Sequence, residues 1–167
     1  MATAAKKTEV TSALNEGDKA PAFTLATSGG GKFSMAEAKG KKNVVLYFYP
    51  KDDTPGCTVE AKDFRDLKAK FDKADTLVIG VSKDSVKSHD KFTDKYSLTF
   101  DLGSDEDGAV CNAYGVWLEK SMYGKKYMGI NRATFLIDKS GKVAKVWPKV
   151  SVTGHAAEVL EAAQSLK

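Results

Sequence analysis

The run Lys42–Pro50, KNVVLYFYP, holds six consecutive apolar residues from Val44 to Tyr49. A short run of this kind, rich in β-branched and aromatic side chains, forms a strand covered on both faces. After it, Cys57, Ala61, Phe64, Leu67 and Phe71 recur three or four apart, the stripe of an amphipathic helix. The pattern then repeats, with a second buried strand in TLVIGVS (Thr76 to Ser82). A second helix follows in SVKSHDKFTDKYS, with Val86, Phe92 and Tyr96 turned inward. Strand, helix, strand, helix in this order is the signature of an α/β fold, because buried parallel strands need helical crossovers.

The flanking segments fill in the sheet. PAFTLATSGGGKFSM reads as two short strands around the turn Gly29–Gly31, and LTFDLG as another short strand. DEDGAVCNAYGV reads as a short helix ending near Gly115. RATFLID and KVAKVWP bracket Lys139-Ser140-Gly141 and form a hairpin. The terminal TGHAAEVLEAAQSLK is helical, with Thr153 as its expected N-cap. The expected architecture is a central mixed β-sheet with helices on both faces, built as one domain over residues 15–167. Residues 1–14 are expected to form a flexible N-terminal tail.

Composition excludes several classes. The net charge of +4 is carried by lysines interleaved with Asp and Glu, and only Arg65 and Arg132 are arginine. A nucleic-acid surface would cluster its cations and use more arginine. No apolar run approaches the roughly 20 residues of a membrane helix. The start, MATAAKKTEVTSALNEGDKA, lacks the apolar core of a secretory signal. Two cysteines, Cys57 and Cys111, are too few for a structural zinc site and too far apart for a CxxC pair. No metal or organic cofactor is expected, since phosphate-loop, calcium-loop, flavin and nicotinamide motifs are absent. His89 and His155 read as surface residues. A cytoplasmic, reducing compartment is the simplest setting for these thiols.

The chemistry concentrates in YPKDDTPGCTVEAKDF, Tyr49 to Phe64. Thr54 suits an N-cap, Pro55 the first helical position, and Gly56 leaves the backbone uncovered. Cys57 then falls at the third helical position, where free N–H groups and the macrodipole favour an anion. Thiols placed this way are more acidic than free cysteine, so the placement favours a thiolate nucleophile. A thiolate needs a cationic partner. Arg65, eight residues along the same helix, is expected on its wet face. Arg132, at the mouth of the apolar strand ATFLID, has two readings, a plain surface salt bridge or the partner of Cys57. The second requires its strand to run antiparallel to the strand that ends at Pro50.

Pro50, Thr54 and Cys57 form a P-x-x-x-T-x-x-C arrangement that resembles the peroxiredoxin active-site motif. YGVWLEKSMYGKKYMGINRATFLIDKSG is similar to the subgroup called PrxQ or bacterioferritin comigratory protein, and the resemblance runs from about Asn15 to the C-terminus. It implies a thioredoxin-like fold and a thiol peroxidase acting on hydrogen peroxide and organic hydroperoxides through a cysteine sulfenic acid, in antioxidant defence. It also implies roles. Cys57 would be the peroxidatic nucleophile and Arg132 would hold thiolate and peroxide. Thr54 would hydrogen-bond the peroxide, and Pro50 would shield the sulfur from water. Backbone N–H groups around Gly56 and Cys57 would add donors where negative charge develops. An external thiol reductant such as thioredoxin, glutaredoxin or glutathione would complete the cycle, and the chain would be a monomer or weak homodimer.

The chain departs from the subgroup in one respect. Lys62 stands where many members carry a resolving cysteine, five residues after the first, and the next helix holds no cysteine either. The resemblance is therefore to a one-cysteine variant. Cys111, without cap, glycine or arginine beside it, reads as structural rather than resolving. The rival to a peroxidase is a thioredoxin-like redox sensor or binding module, which would not turn over with excess thiol. A disulfide oxidoreductase would need a second cysteine close by.

Overall fold

The computed structural model describes residues 14–166. The buried run of the sequence becomes β3 (Asn43–Phe48), buried at every position. It pairs in parallel with β4 (Thr76–Ser82), and β4 pairs in parallel with β5 (Asp101–Ser104). On the other side β3 pairs antiparallel with β8 (Ala133–Ile137), which forms the expected hairpin with β9 (Val143–Trp147). The far edge is β1 (Thr24–Thr27) and β2 (Lys32–Ser34), joined through the glycine-rich turn. The result is a seven-stranded mixed sheet in the order β9-β8-β3-β4-β5-β1-β2.

Strand alternation divides the core in two. Val45, Tyr47 and Tyr49 point to a face covered by α2 (Pro55–Asp66), α3 (Lys68–Lys73), α4 (Val86–Tyr96) and α6 (His155–Gln164). Val44, Leu46 and Phe48 point to the other face, where α1 (Met35–Ala38) and α5 (Ala109–Ala113) contribute Met35, Ala38, Val110 and Cys111. Both faces carry helices, as the α/β pattern requires. Among the described residues, no helix is long and apolar enough to cross a membrane.

Several local expectations need correction. The stripe from Cys57 to Phe71 spans two helices rather than one. The chain leaves helical geometry at Leu67 (φ −98°, ψ 4°), and α3 restarts behind it so that Phe71 still reaches the core. Gly154, with φ 74°, occupies the N-cap of α6 in place of Thr153. Both histidines are buried, not surface residues. His155 packs edge-on against Phe64 and Trp147, with Nε2 2.8 Å from Thr134 Oγ1. A two-stranded ribbon, β6 (Trp117–Met122) and β7 (Lys125–Ile130), occupies a stretch to which periodicity assigns no element. The expected tail lies outside the described residues except for Leu14, which packs against the core.

Gly80 in β4 leaves no room for a side chain. A Cβ there would lie 2.7 Å from Tyr47 Cζ and 2.8 Å from its hydroxyl oxygen, and the Tyr47 ring is itself stacked on Phe64 at 4.7 Å. The ring has nowhere to retreat. Gly80→Ala is expected to lower stability by about 1–3 kcal/mol through overpacking, measured as a reduced urea midpoint. An unchanged midpoint would show that the Tyr47–Phe64 stack is free to shift.

Candidate active site

The Cys57 helix begins at the carboxyl end of β3, and β8 starts beside it. Because β8 runs antiparallel, with Phe48 paired to Ala133, its first residues face the end of β3. Arg132, immediately before β8, is delivered to the first turn of α2 in this way. Its Nη2 lies 3.3 Å from Cys57 Sγ, so the condition set for the second reading of Arg132 is met. Cys57 is 1% exposed and unpaired with any other sulfur. An anionic sulfur is the better acceptor for a guanidinium N–H.

Gly56 has a visible steric reason. A Cβ on it would sit 3.2 Å from Arg132 Nη2, so the bare backbone makes room for the guanidinium across the helix start. Thr54 occupies the N-cap, but its hydroxyl does not cap. It donates to the Lys51 carbonyl at 2.8 Å, and the helix has no side-chain cap. The Thr54 oxygen is left as an acceptor toward anything that enters beside Cys57. Pro50 follows β3 at the same edge and is exposed. Arg65 lies elsewhere, bonded to Asp66 and to the Tyr96 carbonyl.

One site residue was not read from the sequence. Glu60, three positions after Cys57 and on the same face of α2, binds Arg132 Nη1 through Oε1 at 2.6 Å and is 1% exposed. The signal was available, because a carboxylate inside an apolar helical stripe requires a cation. Burial outweighs the attraction of Arg132 and lifts the Glu60 carboxyl to about 7. For Arg132, burial works against the charge, but Glu60 and Cys57 overcome it and raise its pKa. Tyr47, beneath this cluster, is pushed up first by burial and then by Glu60 and Cys57.

The loop between β3 and α2 is held from the opposite direction. Buried Asp52 accepts from the Tyr49 hydroxyl at 2.5 Å and from Ser88 Oγ at 2.8 Å, and lies 2.7 Å from His89 Nδ1. Its own N–H donates to Asp84 Oδ2, and His89 Nε2 lies 2.9 Å from the Gly103 carbonyl. Asp53, at a positive φ of 59°, is bonded to Lys95 and Tyr96. The turn that presents Thr54 is thus fastened to α4 on both of its aspartates.

Cys111 has the opposite environment. It belongs to the core on the other face of the sheet, away from the Cys57 cluster, and is fully buried. Burial first, and then Asp105, push its thiol far above the ordinary range. The sheet itself separates the two sulfurs. Lys62, on the exposed side of α2, offers no sulfur in compensation.

Glu60 gives the site a signature in stability. Its folded-state value of about 7 lies above the ordinary 4.5, so the folded protein holds an extra proton between those values. Its contribution is full below about 4.5 and is lost as pH rises through about 7. Relative to Glu60→Gln, the wild type should therefore lose stability over that window, measured by urea unfolding at a series of pH values. A difference independent of pH would contradict the assignment.

Comparison with known proteins identifies the family. The AhpC/TSA family model matches residues 16–146. A Bcp protein of Coxiella burnetii is 56% identical over 147 residues, covering 88% of this chain and 97% of its own. Peroxiredoxin Bcp of Bacillus subtilis is 49% identical over 145 residues, covering 87% and 92%. The structure of Xanthomonas campestris peroxiredoxin Q superposes with a TM-score of 0.82 at 49% identity, over 86% of this chain and 90% of that one. That of Xylella fastidiosa PrxQ gives 0.84 at 41% identity, over 89% and 94%. With its thioredoxin-like sheet and an arginine on the sulfur of Cys57, the chain belongs to the AhpC/TSA family, in the Bcp or PrxQ group of peroxiredoxins, and is a thiol peroxidase.

Proposed function

We propose that Cys57 is the peroxidatic nucleophile and that Arg132, Thr54 and the backbone at Gly56 assemble the peroxide around it. The observation that carries this reading is the 3.3 Å contact between Arg132 Nη2 and Cys57 Sγ at the start of α2. A sulfur lone pair attacks one peroxide oxygen, the S–O bond forms as the O–O bond breaks, and the electron pair leaves on the other oxygen. That oxygen takes up a proton and departs as water or alcohol, and Cys57 becomes a sulfenic acid. Negative charge grows on the leaving oxygen, so donors fixed in advance are worth most there. Arg132 supplies them in a planar fork, and the helix start adds N–H groups. Thr54, its proton already committed to Lys51, accepts from the peroxide O–H. Pro50 covers the strand end from outside.

Hydrogen peroxide and organic hydroperoxides are the proposed substrates. The Xanthomonas campestris bacterioferritin comigratory protein, 48% identical, has been studied for alkyl peroxide reduction. A peroxiredoxin also takes a thiol reductant. We assign an external one, such as thioredoxin, glutaredoxin or glutathione, because Lys62 replaces one resolving position and Cys111 lies across the sheet. Two unpaired buried thiols suit a cytoplasmic setting, and the chain is proposed to act as a monomer or weak homodimer from the domain over residues 15–167.

Steady-state turnover with excess small thiol tests these roles. Cys57→Ser should abolish it and Cys111→Ser should leave it within about twofold of wild type. Arg132→Lys should lower the peroxide rate constant by about tenfold or more, since a point charge replaces the fork. Retained activity in Cys57→Ser, or a wild-type rate in Arg132→Lys, would contradict the proposal. Thr54→Val should slow the peroxide step in stopped-flow mixing without loss of fold. An unchanged rate would leave Thr54 as a turn residue only.

A further inference from the structure

The β6–β7 ribbon carries three lysines. Lys125 and Lys126 are exposed, whereas Lys120 is half-buried and turned in along the ribbon. Its stem lies against Gly129, where a Cβ would meet Lys120 Cδ at 3.3 Å and Cε at 3.7 Å. The ammonium donates to the carbonyl of Ile130, the last residue of β7 and two before Arg132. The same segment is gripped further on. Asn131 N–H donates to Val116 O at 2.7 Å, and Arg132 O accepts from Val150 N–H at 3.0 Å.

A neutral donor would serve as a tie, so the charge needs its own reason. Burial and the like charge of Arg132 both lower the Lys120 pKa, and the Cys57 sulfur opposes them. The Ile130 carbonyl is two residues from Arg132, whose Nη2 touches Cys57 Sγ, so the same tie sets the Lys120 ammonium on the Arg132 side of the site. Arg132 is bound by Glu60 at 2.6 Å, and an ion pair presents a dipole rather than a net charge to its surroundings. Whenever Glu60 is ionised, it offsets part of the positive potential that Arg132 presents to the sulfur. A second cation restores it.

We propose that Lys120 is a positioning residue of the peroxide site, tying down the Ile130 carbonyl ahead of Arg132 and adding a second positive charge beside an arginine that Glu60 partly offsets. This rests on Cys57 being the reactive sulfur, yet its central test requires no peroxidase activity.

The test compares alkylation of Cys57 by anionic iodoacetate and by neutral iodoacetamide, in a Cys111→Ser background. The ratio of the two rates reports local charge. In Lys120→Met it should fall about threefold, the size of effect one unit charge produces through partly exposed protein. Lys120→Gln keeps an N–H donor for Ile130 and loses the charge, so its ratio should fall equally, while Lys120→Arg should restore it. Added salt should lower the wild-type ratio more than that of either neutral variant. The hydrogen peroxide rate constant should fall by several-fold in Lys120→Met with little change in thermal midpoint. A ratio and salt response in Lys120→Gln equal to wild type would overturn the proposal, whatever the peroxide rate. A lowered ratio would uphold the charge even if the peroxidase assignment of Cys57 failed in turnover.

Discussion

The guanidinium of Arg132, held between Cys57 Sγ at 3.3 Å and Glu60 Oε1 at 2.6 Å, is the contact on which the site depends. It exists only because β8 runs antiparallel to β3 and sets its first residues beside the opening turn of α2. A parallel β8 would carry Arg132 to the other end of the sheet. Gly56 helps, since a Cβ there would sit 3.2 Å from the guanidinium and crowd it. Sheet topology, one glycine and one buried carboxylate thus fix a single cation against a single sulfur.

The rest of the fold keeps that arrangement still. Asp52 and Asp53 fasten the loop before α2 to α4, and the Tyr47–Phe64 stack sets α2 against β3. Buried charges are costly unless paired and hydrogen-bonded, and Glu60 is the clearest case. Its raised carboxyl shows that burial exceeds the return from Arg132. Its visible role is to hold Arg132 Nη1. The two cysteines illustrate the same principle from opposite sides. One sulfur faces a guanidinium at a helix start. The other is sealed in apolar packing beside Asp105 across the sheet.

Periodicity made the strands and helices legible because each buried face repeats in the local sequence, and β3 with its six buried residues is the clearest example. Cys57 was legible because Thr-Pro-Gly announces a helix start. Register was not. Whether Arg132 meets Cys57, 75 positions away, depends on how β8 pairs with β3, and strand direction leaves no mark on composition. The histidines were misread for a related reason. SVKSHDKF looks hydrophilic, yet His89 is buried by an aspartate 37 residues earlier and a carbonyl 14 residues later. Glu60 carries no motif of its own, and only its place on the helical face of Cys57 marks it as buried. The β6–β7 ribbon escaped because its strands are mostly exposed on both faces and lack alternation.

Peptide mapping by mass spectrometry, after one equivalent of hydrogen peroxide and trapping of sulfenic acid, tests the central claim most directly. A single added oxygen is expected on the Cys57 peptide, with Cys111 unmodified and no bond between the two. A Cys57–Cys111 disulfide as the main product, or oxidation first at Cys111, would contradict it.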